Sequence, residues 1–357
     1  MILIRSLELK FLQLEETLYR SRTNSYSDRK KEGHFKELNA LFFILKDQNL
    51  KSLSEGDLHN LNAILSYIEN DVVFLNDSTL NNIPFELVYC LEKVLEEWLD
   101  MEKIIISTTL TSKLGDFYFE SNYNQIFLNE LNAYLKDKGY NCEISHQLVK
   151  MGLPKNCTRD YLANVVMYHE LGHFVDSQFN ISEKIYSKTY NILNLKDKFN
   201  DYRFNHISEY FADLFAAQYV SDASNLYLKY IANGNSDSTT HPATVKRINV
   251  VNEFLANIHN DNVEQINEML GLLGKNHFEK KYKEIPVNKS SFTKLFPQNF
   301  KNIGELHYIF KLGWEFWENY ENNILKDFTN KDRYYIVNNL IEKSISNHSI
   351  TEQWLKK

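Results

Sequence analysis

The chain has 357 residues, of which 43% are hydrophobic and 24% charged, and its formal net charge is −7 at pH 7. This length is enough for a sizeable core, and the acidic balance argues against the positively charged surface that nucleic-acid binding requires. No stretch approaches the ~18 apolar residues of a membrane helix, and Arg5, Glu8 and Lys10 interrupt any secretory signal at the N-terminus. Three cysteines in no metal-binding spacing are typical of a reducing compartment. We therefore expect a cytoplasmic protein that neither inserts into membranes nor binds nucleic acid.

The first part of the chain predicts helices. Residues 7–14 leave helix and strand open, whereas 35–45 and 58–68 carry apolar residues at helical spacing. Pro84 lies near the first turn of another predicted helix, where the missing N–H costs nothing, and this helix continues to Trp98. We expect this region to be a scaffold, and recognition of a substrate or partner is the alternative.

From residue 104 the pattern changes to β-branched and alternating residues. It predicts three short strands, at 104–110, 115–120 and 124–129. An edge strand of a sheet can pair with an extended peptide through main-chain hydrogen bonds. Tyr123, Gln125 and Phe127 are the candidates for that edge, and the alternative is a meander that only supports the next helix. Residues 132–138 predict a helix, and 139–154 predict a connection.

Residues 161–178 predict a largely buried helix whose centre reads H-E-L-G-H, with Thr158 as a plausible N-cap. Residues four apart lie on one face of a helix, so His169 and His173 can both present a ring nitrogen to one metal ion. From its position Glu170 can reach a metal-bound water without binding the metal. So short a motif also occurs by chance, and the alternative is a buried helix whose histidines are satisfied by hydrogen bonds.

A second helical segment, residues 207–217, supplies the third ligand that the motif needs. Glu209 and Asp213 are four residues apart on one face. Two histidines and one glutamate leave the fourth position of a zinc ion open for water, which is the catalytic arrangement. Asp213 is placed to accept a hydrogen bond from the far nitrogen of a ligating histidine, and by analogy with zinc sites of this plan we assign that histidine as His169. Without the preceding motif, a solvated helix face would be the default interpretation.

A third segment, residues 241–248, reads H-P-A-T-V-K-R-I. The ordered set H-E-x-x-H, S-E-x-x-A-D-x-x-A-A and H-P-x-x-x-x-R-I resembles the gluzincin zinc peptidases, in particular the soluble relatives of the CAAX-processing and stress-induced zinc endopeptidases. The matching residues are His169, Glu170, His173, Glu209, Ala212, Asp213, His241, Pro242 and Arg247. The resemblance covers roughly residues 105–255. The chain differs from the membrane enzymes of that group because it lacks their transmembrane helices and has a shorter interval between the second histidine and the glutamate.

This resemblance implies an α+β, predominantly α-helical fold with a zincin-like core, made of a small sheet, the H-E-x-x-H helix and the glutamate helix. It implies one zinc ion per chain, with three ligands: His169, His173 and Glu209. The implied reaction is hydrolysis of peptide bonds, with Glu170 as general base and a peptide or protein as substrate. His241 is the candidate donor to the oxyanion, and Arg247 either orients it or contributes charge directly.

We expect three regions: a helical N-terminal region (1–103), the metallopeptidase core (104–258) and a helical C-terminal region (259–357). Two other functions stay open. One is a regulatory protease that cleaves a single partner after a trigger, and the other is a catalytically silent, metal-stabilised binding or scaffold protein. A general base at Glu170 argues against the silent protein, because a structural metal site has no use for one. The oligomeric state is not predicted by these patterns.

Overall fold

A computed structural model describes residues 2–26, 29–79, 84–112, 117–120, 123–192, 197–232, 234 and 236–355. Within these residues the fold is α+β and predominantly helical, as expected. The α-helices are α1 (Ile2–Ser21), α2 (Arg29–Lys46), α3 (Glu55–Asp77), α4 (Phe85–Leu95), α5 (Gln125–Asp137), α6 (Tyr161–Asn164), α7 (Met167–Phe179), α8 (Ile181–Tyr190), α9 (Tyr202–Val220), α10 (Ala223–Ile231), α11 (Thr244–Leu255), α12 (Asp261–Leu272), α13 (Ile303–His307), α14 (Ile309–Glu318) and α15 (Asn330–Leu355). The strands are β1 (Ile104–Thr111), β2 (Tyr118–Glu120) and β3 (Gln147–Pro154). None of the described helices has the length and apolarity needed to cross a membrane.

The three strands form one sheet in the order β1-β3-β2. β1 and β3 are parallel, with Ile104 opposite Gln147 and Thr111 opposite Pro154, and α5 lies in the crossover between them. The strand predicted at 104–110 is confirmed. The strand predicted at 115–120 is confirmed only as β2, and its residues 115–116 lie outside the described part of the chain.

The connection predicted at 139–154 is wrong, because its second half is β3. This strand is buried along almost its whole length, so it shows no alternation of apolar and polar residues. It also contains Lys150, Gly152 and Pro154, which weaken a strand signal in the sequence. A strand covered on both faces and interrupted by such residues cannot be recognised by its period.

The strand predicted at 124–129 is also wrong, because these residues begin α5. Asn124 caps the helix, and its side-chain oxygen accepts a hydrogen bond from the Phe127 N–H at 3.0 Å. The buried leucines of α5 follow helical spacing: Leu128, Leu131 and Leu135. A cap and a 3.6-residue period therefore overrode the β-like composition of this segment.

Tyr123, Gln125 and Phe127 consequently do not lie on a sheet edge. Gln125 and Phe127 are in the first turn of α5. The Tyr123 ring packs against Tyr67 and Phe127, with ring centroids 5.0 and 4.6 Å apart. Asn70 donates a hydrogen bond to the Tyr123 hydroxyl at 3.0 Å. These contacts make Tyr123 a packing residue.

By its contacts the chain divides into two compact units, and the first consists of residues 1–85, 99–116 and 120–158. Its core joins α1, α2 and α3 to β1, β3 and α5 through a cluster of buried apolar side chains. Leu7, Phe11, Leu14 and Leu18 are buried at helical spacing, which explains why the ambiguous N-terminal segment is a helix. The helices predicted at 35–45 and 58–68 are confirmed within α2 and α3.

The second unit consists of residues 86–98, 117–119 and 159–357. Its helix predicted at 161–178 is interrupted between α6 and α7, although Val165 and Val166 keep right-handed helical backbone angles. Asp160, and not Thr158, caps α6, because its side chain accepts a hydrogen bond from the Ala163 N–H at 3.0 Å. The Thr158 hydroxyl instead donates to a carbonyl of the preceding turn.

The region boundaries predicted at residues 103 and 258 stay predictions.

Candidate metal centre

Two helices of the second unit, α7 and α9, approach each other closely at Gly172. A Cβ atom at this position would lie 2.8 Å from the Ala212 Cα and 3.1 Å from the Phe215 Cβ. Only a glycine leaves room for this approach. His173 follows Gly172 on α7, and Glu209 lies one turn before Ala212 on α9. The close approach therefore places the H-E-x-x-H motif opposite the predicted third ligand.

The three predicted ligands converge, and we call His169, His173 and Glu209 the α7–α9 site. The Nε2 atoms of His169 and His173 are 3.1 Å apart. The Glu209 carboxylate lies 3.3 Å from the His173 Nε2 through Oε1 and 3.6 Å from the His169 Nε2 through Oε2. A tetrahedral zinc ion with bonds of about 2.0–2.1 Å holds its ligand atoms about 3.3–3.4 Å apart, so these distances fit one ion. The buried Oε2 of Glu209 accepts no hydrogen bond of good geometry from the described residues, and it forms an ion pair with Arg247.

Both histidines have their other ring nitrogen engaged. The His169 Nδ1 lies 2.9 Å from the Asp213 Oδ1, which is the contact predicted from the sequence. The His173 Nδ1 lies 3.1 Å from the Ser208 Oγ, whose hydroxyl donates to the Asp176 Oδ2 at 3.1 Å. These contacts direct both Nε2 lone pairs toward Glu209. The sequence analysis missed the relay through Ser208 and Asp176, although Ser208 precedes Glu209 and Asp176 follows His173 by nearly one turn.

Arg247, in the first turn of α11, is buried between two acids. Its Nε and Nη2 donate to the two carboxylate oxygens of Asp213, each at 2.7 Å. Its Nη1 lies 3.0 Å from the Glu209 Oε2. Within the described residues no hydrogen bond joins Arg247 to His241. Arg247 thus holds the carboxylates of Asp213 and Glu209 in place. No contact among the described residues supports its predicted role of orienting His241.

His241 lies at the edge of the α7–α9 site with its side chain 57% exposed. Its Nε2 is 3.5 Å from the Glu209 Oε1, and its Nδ1 is 2.8 Å from the Thr240 Oγ1. The backbone N–H of His241 donates to the Ser238 Oγ, which fixes the turn before α11. The imidazole is therefore held near the ligands while it stays accessible to a bound molecule.

The charged groups of the site shift one another's protonation. Burial would raise the pKa of Glu209, but the hydrogen bond from His173 and the charge of Arg247 lower it to about 2. Burial would lower the pKa of His173, but Glu209 raises it to about 9. For Asp213 the effect of burial is outweighed by Arg247, so its pKa lies below the ordinary value, whereas burial raises the pKa of Glu170. A cation must displace the proton of His173, so metal affinity should rise with pH.

A cleft of about 580 Å³ lies beside these ligands, and His173, Glu209 and His241 form part of its wall. The rest of the wall is polar and aromatic, and includes Ser177, Asn180, Phe199, Phe204, Asn205 and Thr240. This volume is within the range of about 300–1,000 Å³ that ligand pockets occupy. The α7–α9 site therefore faces a space that a substrate segment can enter.

Comparison of the chain with models of known protein families gave no match. Comparisons with curated proteins and with solved structures gave none either. The chemistry of the site therefore has to be judged from its own residues and distances.

Proposed function

We propose that this protein is a zinc-dependent metallopeptidase that hydrolyses peptide bonds in a peptide or protein substrate. The observation that supports this proposal best is the convergence of His169, His173 and Glu209 beside an open cleft. Two imidazoles and one carboxylate suit zinc. Three protein ligands, where a structural site has four, leave one position for a reacting group, which is the catalytic arrangement.

When bound, the ion supplies Lewis acidity, which polarises the substrate carbonyl and lowers the pKa of water. Glu170 acts as general base and takes a proton from the attacking water as the water oxygen bonds to the carbonyl carbon. The carbon–nitrogen bond of the tetrahedral intermediate then breaks, and Glu170 returns the proton to the leaving amine. Proton transfer by a positioned side chain typically contributes about 10²–10⁴ in rate.

The other side chains of the site have supporting roles in this proposal. Asp213 holds the tautomer of His169, and Arg247 holds Asp213 and Glu209 in place through their carboxylates. Both are positioning residues. His241 is exposed in the cleft and is our candidate donor to the oxyanion of the tetrahedral intermediate. Loss of one such donor costs roughly 10²–10³ in turnover in other enzymes.

The test compares zinc-loaded wild type with Glu170→Gln on a diverse peptide library, with new termini identified by mass spectrometry. We expect the variant to keep the metal content of the wild type and to lose cleavage by about 100-fold or more, because only the proton acceptor is removed. Glu268→Gln is the control, since Glu268 is an exposed glutamate of the same unit. Equal cleavage by Glu170→Gln and wild type would contradict the assignment. A fully zinc-loaded wild type that cleaves no peptide would instead favour the silent binding protein or the single-partner protease.

A further inference from the structure

A second group of ligand-type side chains lies in the first unit, and we call His34, Glu37 and His146 the α2–β3 cluster. His34 and Glu37 are on α2, and His146 immediately precedes β3. Their ligand atoms all lie within 4.8 Å of one another. The Glu37 Oε2 is 3.4 Å from the His34 Nδ1 and 3.8 Å from the His146 Nδ1. The cluster repeats the donor set of the α7–α9 site, with two imidazoles and one carboxylate.

Asp71 on α3 fixes the orientation of His34. The His34 Nε2 lies 2.9 Å from the Asp71 Oδ2, and the two side chains are 0% and 3% exposed. An ionised carboxylate only accepts hydrogen bonds, so Nε2 carries a proton toward Asp71 while Nδ1 faces Glu37. Burial would lower the pKa of His34, but Asp71 and Glu37 raise it to about 9, so a cation has to displace the Nδ1 proton. His169 and Asp213 show the same pairing at the same 2.9 Å distance. Metal-ligating histidines almost always donate their other N–H to a group of this kind.

Three atoms of the cluster face one another and share no common partner among the described residues: the His34 Nδ1, the Glu37 Oε2 and the His146 Nδ1. The Glu37 Oε2 accepts a hydrogen bond from the Ser145 N–H at 3.3 Å. The His146 Nδ1 is buried and has no hydrogen-bond partner in the described part of the chain. A proton on the His34 Nδ1 would satisfy the contact with Glu37, but it would leave the His146 Nδ1 without a hydrogen-bond partner among the described residues. A cation at the centre would engage all three atoms, and buried polar atoms are rarely left without a partner.

We propose that His34, Glu37 and His146 bind a second divalent cation of the zinc class, independently of the α7–α9 site. Imidazole and carboxylate ligands suit zinc, and a tetrahedral ion needs its ligand atoms about 3.3–3.4 Å apart. The 3.4 Å contact between His34 and Glu37 already meets this distance, and the 3.8 Å contact between His146 and Glu37 has to shorten by roughly 0.4–0.5 Å. The ion joins two residues of α2 to the segment that enters β3, and Asp71 extends the connection to α3. The ion would therefore connect α2, α3 and β3 within the first unit.

The chain also offers a matched control. His259, Asp261 and Glu264 satisfy the same spacing. The side chains of His259 and Asp261 are 74% and 84% exposed. Water can hydrogen-bond to exposed side chains such as these, and among the described residues no buried carboxylate contacts His259. This exposed triad therefore reports adventitious surface binding.

The experiment counts zinc per chain by elemental analysis after loading and removal of loosely held metal by gel filtration. We expect two ions in wild type, one in His146→Ala, one in Glu209→Ala, none in the double variant and two in His259→Ala. A cysteine thiolate is also a zinc ligand, so His146→Cys should restore the count to two. This rescue separates ligation from a packing role of His146.

One ion in wild type that is lost in Glu209→Ala and kept in His146→Ala would overturn the second site and leave the peptidase proposal standing. A second ion that disappears in His259→Ala would overturn it as well. If His146→Ala does not fold, Glu209→Ala still decides, since a Glu209→Ala chain that retains no ion contradicts the proposal. Two ions in wild type without cleavage of any peptide would support the cluster and count against the peptidase.

Discussion

The contact between α7 and α9 at Gly172 makes the geometry of the α7–α9 site sensitive to one methyl group. In Gly172→Ala the new carbon would lie 2.8 Å from the Ala212 Cα. Carbon atoms rest about 3.5–4.0 Å apart, so the helices have to separate locally by roughly 0.7–1.2 Å. Both neighbouring atoms, the Ala212 Cα and the Phe215 Cβ, are on or next to the backbone and cannot rotate away.

The size of the effect follows from two opposing contributions. Overpacking a close contact costs about 1–3 kcal/mol, and the better helix propensity of alanine returns up to about 1 kcal/mol. We therefore expect a net loss of roughly 1–2 kcal/mol in the free energy of unfolding. Metal–ligand distances tolerate only about 0.2 Å, so a shift of this size between His173 and Glu209 should lower zinc affinity by about 10–100-fold.

Zinc affinity is measured by competition with a chromogenic chelator, in a His146→Ala background so that the α2–β3 cluster does not contribute. Stability is measured by urea unfolding of the metal-free chain. The control is Gly271→Ala on α12 of the same unit, where the new carbon meets only the tip of the exposed His277 side chain, at 3.3 Å. That variant should keep its affinity and gain up to about 1 kcal/mol. Wild-type affinity and stability in Gly172→Ala would refute the reasoning.

Two further predictions concern buried charge. Arg247→Met leaves the buried carboxylates of Asp213 and Glu209 without their cation. Urea unfolding of the metal-free chain should therefore show that the free energy of unfolding falls by about 3–5 kcal/mol. A fall below about 1 kcal/mol would contradict the role of Arg247 in holding the two carboxylates. Burial lowers the pKa of His307 from 6.5 to about 3, so its stabilising contribution is complete above pH 6.5 and is lost as the pH falls toward 3. Between pH 7.5 and 5.5 wild type should lose about 1 kcal/mol more of its free energy of unfolding than His307→Phe, and equal pH slopes for the two chains would count against this assignment.

The candidate ligands of the α7–α9 site could be identified in the sequence because they lie on helices, where residues four apart share a face. This period gives His169 with His173, and Glu209 with Asp213. It does not say which helices touch, and Gly172 decides that through a contact with α9 that the sequence motif does not reveal. The position of Arg247 between two acids likewise depends on how α11 packs on α9.

The first unit was harder to predict from the sequence, because its features depend on contacts between distant segments. The segment after Asn124 has a β-like composition, but Asn124 caps it as the helix α5. β3 is buried along almost its whole length, so it lacks the alternation of apolar and polar residues that identifies a strand. His34 and His146 are 112 residues apart (146 minus 34), and no local pattern connects them. Long-range pairing of this kind becomes visible only when the fold brings α2 beside β3.

The two metal-ligand groups differ in how the chain balances their buried acids without metal. In the α7–α9 site, Arg247 contacts both Asp213 and Glu209 and supplies a permanent positive charge. In a metal-free α7–α9 site each of these carboxylates therefore stays paired.

In the α2–β3 cluster, the ion pairs of Glu37 and Asp71 among the described residues are with histidines alone. A histidine is charged only when protonated, so none of these ion pairs carries a permanent positive charge. An ion that leaves must be replaced there by protons.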